Sequence, residues 1–332
     1  MSQKIRDPFF DNAKFMLMFL VILGHLLQPF TRTNQLYHNL YFFIFLFHMP
    51  AFILISGFFA KSFAQRGSVK NLVRKIGAPY LVFQFVYSIY YVFIGVSDTL
   101  TWNFLNPRWS LWFLVSLFWW QLSLSLFKRL TPIQGIPLSV LLSLGAGYLP
   151  FLDQTLAAQR TFTFLPFFII GFYLSNEQVT HWRKMNSRLL AIGFLPLLYL
   201  FVQQTEQLKS AWVFGSLPYS EFLQTPSTGA LLRFVMLVLG LLGTIGFLSL
   251  VPQKTTFFTK WGKNTLAAYL LQGFFIKGLR VLDIPTLHST ILGLALLLLL
   301  GLVLTTILSS EWVQNHQATL KRTCHKITHK IA

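Results

Sequence analysis

Apolar residues in this chain recur in long runs separated by short polar punctuation, rather than in the alternation of a half-buried strand. Ten such stretches can be drawn, at about 14–30, 40–60, 77–96, 109–127, 136–150, 161–175, 189–203, 229–251, 264–282 and 289–309. Most approach the ~20 residues that a helix needs to cross the ~30 Å hydrocarbon core of a bilayer, although the fifth to seventh are short. The pattern predicts an all-α integral membrane protein, a bundle of about ten transmembrane helices. One transmembrane domain is expected over 1–332, with a basic tail at 310–332 and no internal repeat, linker or soluble domain. The first run lacks a small-residue cleavage site and carries His25, so a cleaved signal peptide is not expected.

Composition narrows the class further. Of 332 residues, 54% are hydrophobic, 36 are Phe and only 11% are charged, and the mean hydropathy is +0.58. Soluble domains carry about a quarter charged residues, so a soluble enzyme and a disordered chain are both excluded. Cys324 is the single cysteine and has no partner for an intrachain disulfide.

The net charge of +18 invites a nucleic-acid partner, but its distribution points elsewhere. With both termini inside, the inner segments, counted up to Lys14 at the mouth of span one, hold 20 of the 27 Lys and Arg residues. The outer loops hold four (Arg32, Arg108, Arg160 and Lys209), and Arg233, Lys277 and Arg280 fall within spans. This is the positive-inside asymmetry. It accounts for the charge by topology and membrane lipid, without nucleic acid, and predicts cytoplasmic termini in a bacterial plasma membrane.

Ionisable side chains inside a span are costly unless paired or facing a wet cavity, which makes them the first candidates for chemistry. In span one, Lys14 and His25 are eleven residues apart, about 20° from each other around a helix, and Asp7 and Asp11 fall near the same face. Asp11 and Lys14 have i, i+3 spacing and can pair. His25 sits ~8 Å and His48 ~12 Å below the outer surface, on consecutive antiparallel spans, whereas Lys14 is ~16 Å from His25 toward the inner mouth. His48 also fits a plain hydrogen bond to a neighbouring helix. No third ligand joins the two histidines, so no metal is expected.

The inner loop 61–76 carries Lys61, Arg66, Lys70, Arg74 and Lys75, which suits either anionic lipid or a nucleotide phosphate. Arg160 and Arg233, at the outer ends of their spans, can snorkel or bind an anionic or hydroxyl-rich acceptor. Asp153, Glu206 and Glu221 share the outer loops with Arg160, and all four can contact a sugar, although nothing in their spacing names one.

Several stretches carry a family resemblance. Arg6-Asp7-Pro8-Phe9-Phe10-Asp11-Asn12-Ala13-Lys14 leads to Gly24-His25, and Phe47-His48-Met49-Pro50 leads to Ile55-Ser56-Gly57-Phe58. In this the chain resembles the acyltransferase-3 family of integral membrane O-acyltransferases, in its fucose 4-O-acetylase-like acetyltransferase branch, over nearly all its length. The resemblance implies acyl transfer from cytoplasmic acyl-coenzyme A to a hydroxyl of an envelope glycan or lipid-linked sugar. It implies His25 as the catalytic histidine and Lys14 on the donor side, with His48 as a second catalytic candidate.

Where relatives often carry Arg-x-x-Arg before span three, this chain has Asn71-Leu72-Val73-Arg74-Lys75, leaving Arg74 and Lys75 for donor contacts. Where relatives often show His after Tyr-Leu-Leu, Tyr269-Leu270-Leu271 is followed by Gln272, which can still donate a hydrogen bond. Asp11 and Tyr269 are then orienting residues, and Arg160, Arg233 and Gln272 contact the acceptor. Acetyl-coenzyme A is implied as a co-substrate, with no permanently bound cofactor. Some relatives carry a fused extracellular hydrolase-like domain. Its absence here implies direct delivery or a separate extracellular transferase partner. The competing reading is a transporter or flippase of lipid-linked sugars, although such proteins often show duplicated halves and none is found here.

Overall fold

The computed structural model describes residues 6–184, 188–205, 210–282 and 291–316. Among them there is no β-strand, and ten helices have 15 residues or more. These are α1 (Pro8–Leu27), α2 (Gln35–Phe59), α3 (Ala78–Phe93), α4 (Trp112–Phe127), α5 (Pro132–Ala146), α6 (Ala158–Tyr173), α7 (Arg188–Gln204), α8 (Gly229–Leu250), α9 (Thr265–Val281) and α10 (Ile291–Leu308). Each overlaps one predicted span. Seven helical runs are long and apolar enough to cross a membrane, and the helices at Pro132–Ala146 and Ala191–Gln204 are apolar but shorter. Glu206, Lys209, His288, Cys324 and the tail beyond His316 lie outside the described residues.

Several helices begin earlier than the apolar runs because polar caps start them. Asp7 is extended and accepts from Phe9 N at 3.0 Å, and Pro8 supplies a preset φ in the first turn, so α1 starts before Lys14. Thr131 and Gln134 form a capping box ahead of Pro132, which starts α5 four residues before the predicted 136. Much of the expected inner loop 61–76 is helical: Lys61–Arg66, then Val69–Leu72, then a π-helical turn at Val73–Gly77 that runs into α3. Arg74 and Lys75 thus stand on that turn and not on a loop.

The chain divides into two compact units, Met1–Tyr37 with Val251–Ala332, and His38–Leu250. In the first unit, α1 packs against α9, α10 and the short helix Trp261–Asn264. Gly262 is required there, since a Cβ would lie 1.9 Å from the Asp11 carbonyl oxygen.

The core of the second unit is aromatic and aliphatic, with Ile53, Trp120, Phe164, Phe167 and Phe168 fully or nearly fully buried. At its centre α2 and α6 cross backbone to backbone. A Cβ on Gly57 would lie 2.0 Å from Phe168 O, and one on Gly171 would lie 2.0 Å from Leu54 O. Small residues that let helices approach this closely are a device of membrane bundles.

The connections of the second unit gather at two ends. At one, Lys61 donates to Leu174 O, Lys128 to Ala64 O at 3.4 Å, and Tyr173 Oη to Phe127 O at 2.8 Å. At the other, Leu156 N donates to Leu105 O at 2.6 Å, Tyr219 N to Gly147 O at 2.7 Å, and Gln159 Nε2 to Leu217 O at 3.2 Å.

Candidate functional site

The N-terminal end of α1 is a buried charge cluster. Asp11 Oδ1 lies 2.8 Å from Lys14 Nζ, the pair that the i, i+3 spacing allows. Arg6 completes it, donating from Nε to Oδ2 at 2.6 Å and from Nη2 to Oδ1 at 2.9 Å. The carboxylate is 2% exposed, so both cations offset a charge whose burial alone is unfavourable. An anion in the first turn is also favoured by the helix dipole. Next to it, fully buried Asn12 donates to Pro252 O (2.8 Å) and Lys254 O (2.9 Å) and accepts from Thr256 (3.1 Å) and Thr259 (2.6 Å). These bonds fix the segment before Trp261 to α1.

At the other end of α1, His25 is half-buried in the last turn. Its carbonyl would ordinarily accept from the amide four residues on, but that residue is Pro29, which has no N–H. Arg280 of α9 supplies the missing donor, with Nη2 2.8 Å from His25 O and 2.7 Å from Gln28 Oε1. The guanidinium therefore fixes the backbone that carries the imidazole, and a cation suits a helix C-terminus. Sequence reasoning placed Arg280 within a span but gave it no role; the signal was Pro29 standing four residues after a membrane histidine.

Also on α9, Gln272 is fully buried, and among the described residues neither of its amide atoms has a hydrogen-bond partner. Leaving a buried amide unmet costs about 1–3 kcal/mol, which marks the position as one kept for something other than packing. Tyr269, three residues before it, is half-buried.

His48 belongs to the second unit and is 2% exposed. Its Nδ1 lies 2.8 Å from Ile44 O, and the Phe45 ring meets it edge-on at 4.6 Å. A carbonyl only accepts, so Nδ1 carries a proton and donates it to Ile44 O. Arg74 and Lys75 are exposed.

Arg160 and Arg233, paired in the sequence reading, have different surroundings. Arg160 lies over the Trp112 ring at 4.9 Å, and Trp112 stacks on Phe164. Arg233 is 3% exposed, donates to Ser143 O at 3.0 Å and lies over Tyr219 at 4.5 Å. Tyr219 in turn donates to Leu144 O at 3.1 Å, and burial pushes its hydroxyl up to about 12, so it stays a donor at neutral pH. Among the described residues no three His, Cys, Asp or Glu side chains group as metal ligands.

A helical bundle with apolar membrane-crossing runs, polar groups fixed at both ends of its first helix and an unmet amide on a neighbouring helix defines a membrane-embedded protein built around buried polar chemistry. The acyltransferase domain model of the acyltransferase-3 family matches residues 7–310, and the chain belongs to this membrane-embedded family. It is 29% identical over 184 residues to nodulation protein NolL of Mesorhizobium japonicum (strain LMG 29417 / CECT 9101 / MAFF 303099), covering 52% of this chain and 48% of that protein. It is 44% identical over 66 residues to nodulation protein NolL of Sinorhizobium fredii (strain NBRC 101917 / NGR234), covering 19% of this chain and 18% of the relative. The match thus spans about half or less of the length of these curated relatives. No solved structure matches the chain.

Proposed function

We propose that the protein is a membrane O-acetyltransferase that moves an acetyl group from cytoplasmic acetyl-coenzyme A to a hydroxyl of a cell-envelope or exported polysaccharide sugar. Its setting is a bacterial plasma membrane crossed about ten times, with both termini cytoplasmic. The observation that carries this reading is α1 in a chain of this family. One helix bears a fixed ammonium at Lys14 and, ~16 Å along its axis, an imidazole whose backbone Arg280 holds.

In this reading His25 takes the proton of the sugar hydroxyl as its oxygen attacks the thioester carbonyl carbon. The carbon–sulfur bond then breaks, and the proton passes from the imidazole to the leaving thiolate. An imidazole has one nitrogen to accept a proton and one to donate it, which suits both transfers. The unmet Gln272 amide supports a donor to the oxyanion that forms between the two steps, with Tyr269 orienting it. Lys14, kept in place by Asp11, is assigned to the donor phosphates, as are Arg74 and Lys75 of the second unit. His48 is assigned as the second catalytic residue, orienting the reacting groups or stabilising the developing oxyanion, and His48→Ala is expected to lower transfer. Arg160 and Arg233 are assigned to the acceptor side. Acetyl-coenzyme A is a co-substrate, and no resident cofactor enters.

The test is transfer of labelled acetyl from acetyl-coenzyme A to crude envelope glycan by purified protein. Label reaching glycan with wild type, and falling at least a hundredfold with His25→Ala, is the expected result. Equal labelling by a well-folded variant removes His25 from the reaction.

A further inference from the structure

Within the second unit, three connections enclose a cleft of about 440 Å³. Its polar lining comes from Asn106, Asp153, Gln154, Arg160, Ser216 and Glu221, with Trp112 beside them. That volume falls inside the range of small-ligand sites, roughly 300–1,000 Å³. Of this lining only Arg160 has been assigned to the acceptor, and the cleft as a whole has no stated ligand class.

Its walls are built before any ligand arrives. On one side, buried Gln84 donates from Nε2 to Asn103 O (2.7 Å) and Asn106 O (2.9 Å), and its Oε1 accepts from Arg108 N at 2.8 Å. Arg108 reaches back to Ser88 Oγ (2.9 Å) and Thr101 Oγ1 (2.6 Å), closing the connection between α3 and α4 on itself. On the other side, Leu156 and Ala157 take left-handed φ values of 50° and 54°. This conformation costs a non-glycine residue about 1–2 kcal/mol. It is held by Leu156 N to Leu105 O (2.6 Å) and Gln159 N to Asp153 O (3.1 Å), so that Asp153 and Arg160, seven residues apart, line one mouth. Strain retained at a cleft wall is typical of sites where geometry matters more than stability.

The chemistry of the lining narrows the ligand. Asp153 uses Oδ1 to accept from Thr155 N at 2.7 Å, and neither Asp153 nor Glu221 is in an ion pair among the described residues. Two carboxylates left as acceptors suit hydroxyl donors and repel a polyanion. Arg160, over the Trp112 ring at 4.9 Å, places a cation in the same cleft, which opposes a metal ion or an amine. Ser216 and Asn106 can both donate and accept. Dense, alternating donors and acceptors with little net charge match the ring hydroxyls of an uncharged sugar.

We propose that this cleft binds a neutral pyranose unit of the acceptor glycan, with Asp153 and Glu221 accepting from its hydroxyls and Arg160 donating to its oxygens. The inference rests on the acyl-transfer reading for the word acceptor, and on the cleft alone for the sugar. The topology read from the charges puts these three connections on the outer side, where an exported glycan is found.

The experiment is retention of purified full-length protein on a printed array of neutral, amino and uronic oligosaccharides, with no acyl donor present. Wild type is compared with Glu221→Gln, with the double variant Asp153→Asn/Glu221→Gln, and with Glu177→Gln, an exposed acid outside the cleft. Neutral saccharides should be retained by wild type and by Glu177→Gln, about threefold less by Glu221→Gln and at least tenfold less by the double variant. Glu221 is exposed, so its single variant reports even if the double variant misfolds. Retention of charged saccharides only, no neutral saccharide retained, or equal retention by all variants overturns the proposal. Because no donor is present, sugar retention by a protein that transfers no acetyl keeps the cleft and removes the acyl-transfer reading. Acetyl transfer that survives both cleft variants unchanged removes the cleft alone.

Discussion

His25 depends on a contact with Arg280, a residue 255 positions away in sequence. Because Pro29 cannot satisfy the His25 carbonyl, removing the guanidinium frees the last turn of α1. Arg280→Ala is therefore expected to lower the turnover rate about tenfold while leaving the affinity for acetyl-coenzyme A within twofold, as read by thiol release and equilibrium binding. Arg280→Lys, which keeps one donor, should recover part of the rate. An unchanged rate in Arg280→Ala would contradict a positioning role. Asn12 makes a second prediction at this scale. It satisfies two carbonyls and two hydroxyls at once, so Asn12→Ala should cost about 2 kcal/mol or more, measured as a lower unfolding midpoint in detergent.

The helices were legible in the sequence because a bilayer forces long apolar runs, and every predicted span overlaps a helix. Their starts were less legible, since Asp7, Thr131 and Gln134 begin helices through local hydrogen bonds that hydropathy does not register. The α2–α6 crossing was visible only as two glycines in quoted motifs, because the backbone approach they permit is a tertiary fact. That crossing makes the prediction for this scale. Gly57→Ala or Gly171→Ala places a Cβ against a carbonyl oxygen and should cost about 1–3 kcal/mol, seen as a lower thermal midpoint. Gly145→Ala and Gly193→Ala, where a Cβ meets nothing within 4 Å, should leave the midpoint unchanged or raise it.

At the scale of the whole molecule, the charge asymmetry makes a prediction about topology. Within the second unit, Lys61, Lys70, Arg74, Lys75, Lys128, Arg129 and Glu177 fall in the connections of one end, and Asp98, Arg108, Asp153 and Glu221 in those of the other. With Cys324 replaced, a single cysteine at Gln224 should react with an impermeant maleimide in intact cells, and one at Gln178 only after permeabilisation. The reverse pattern would invert the topology. The sequence pointed to Lys14, His25, His48 and Arg160 through charge in apolar surroundings. It placed Arg108 and Arg280 by charge but gave no role to them or to Gln84, because their partners are set by the fold.

Acyl transfer at His25 is the central claim, and thiol release from acetyl-coenzyme A addresses it most directly. Detergent-purified wild type and His25→Ala, each with crude envelope glycan, would be compared side by side. Glycan-dependent release by wild type and its loss in a variant that unfolds at the same temperature is the result predicted. Equal release by both proteins would contradict the assignment of the chemistry to His25.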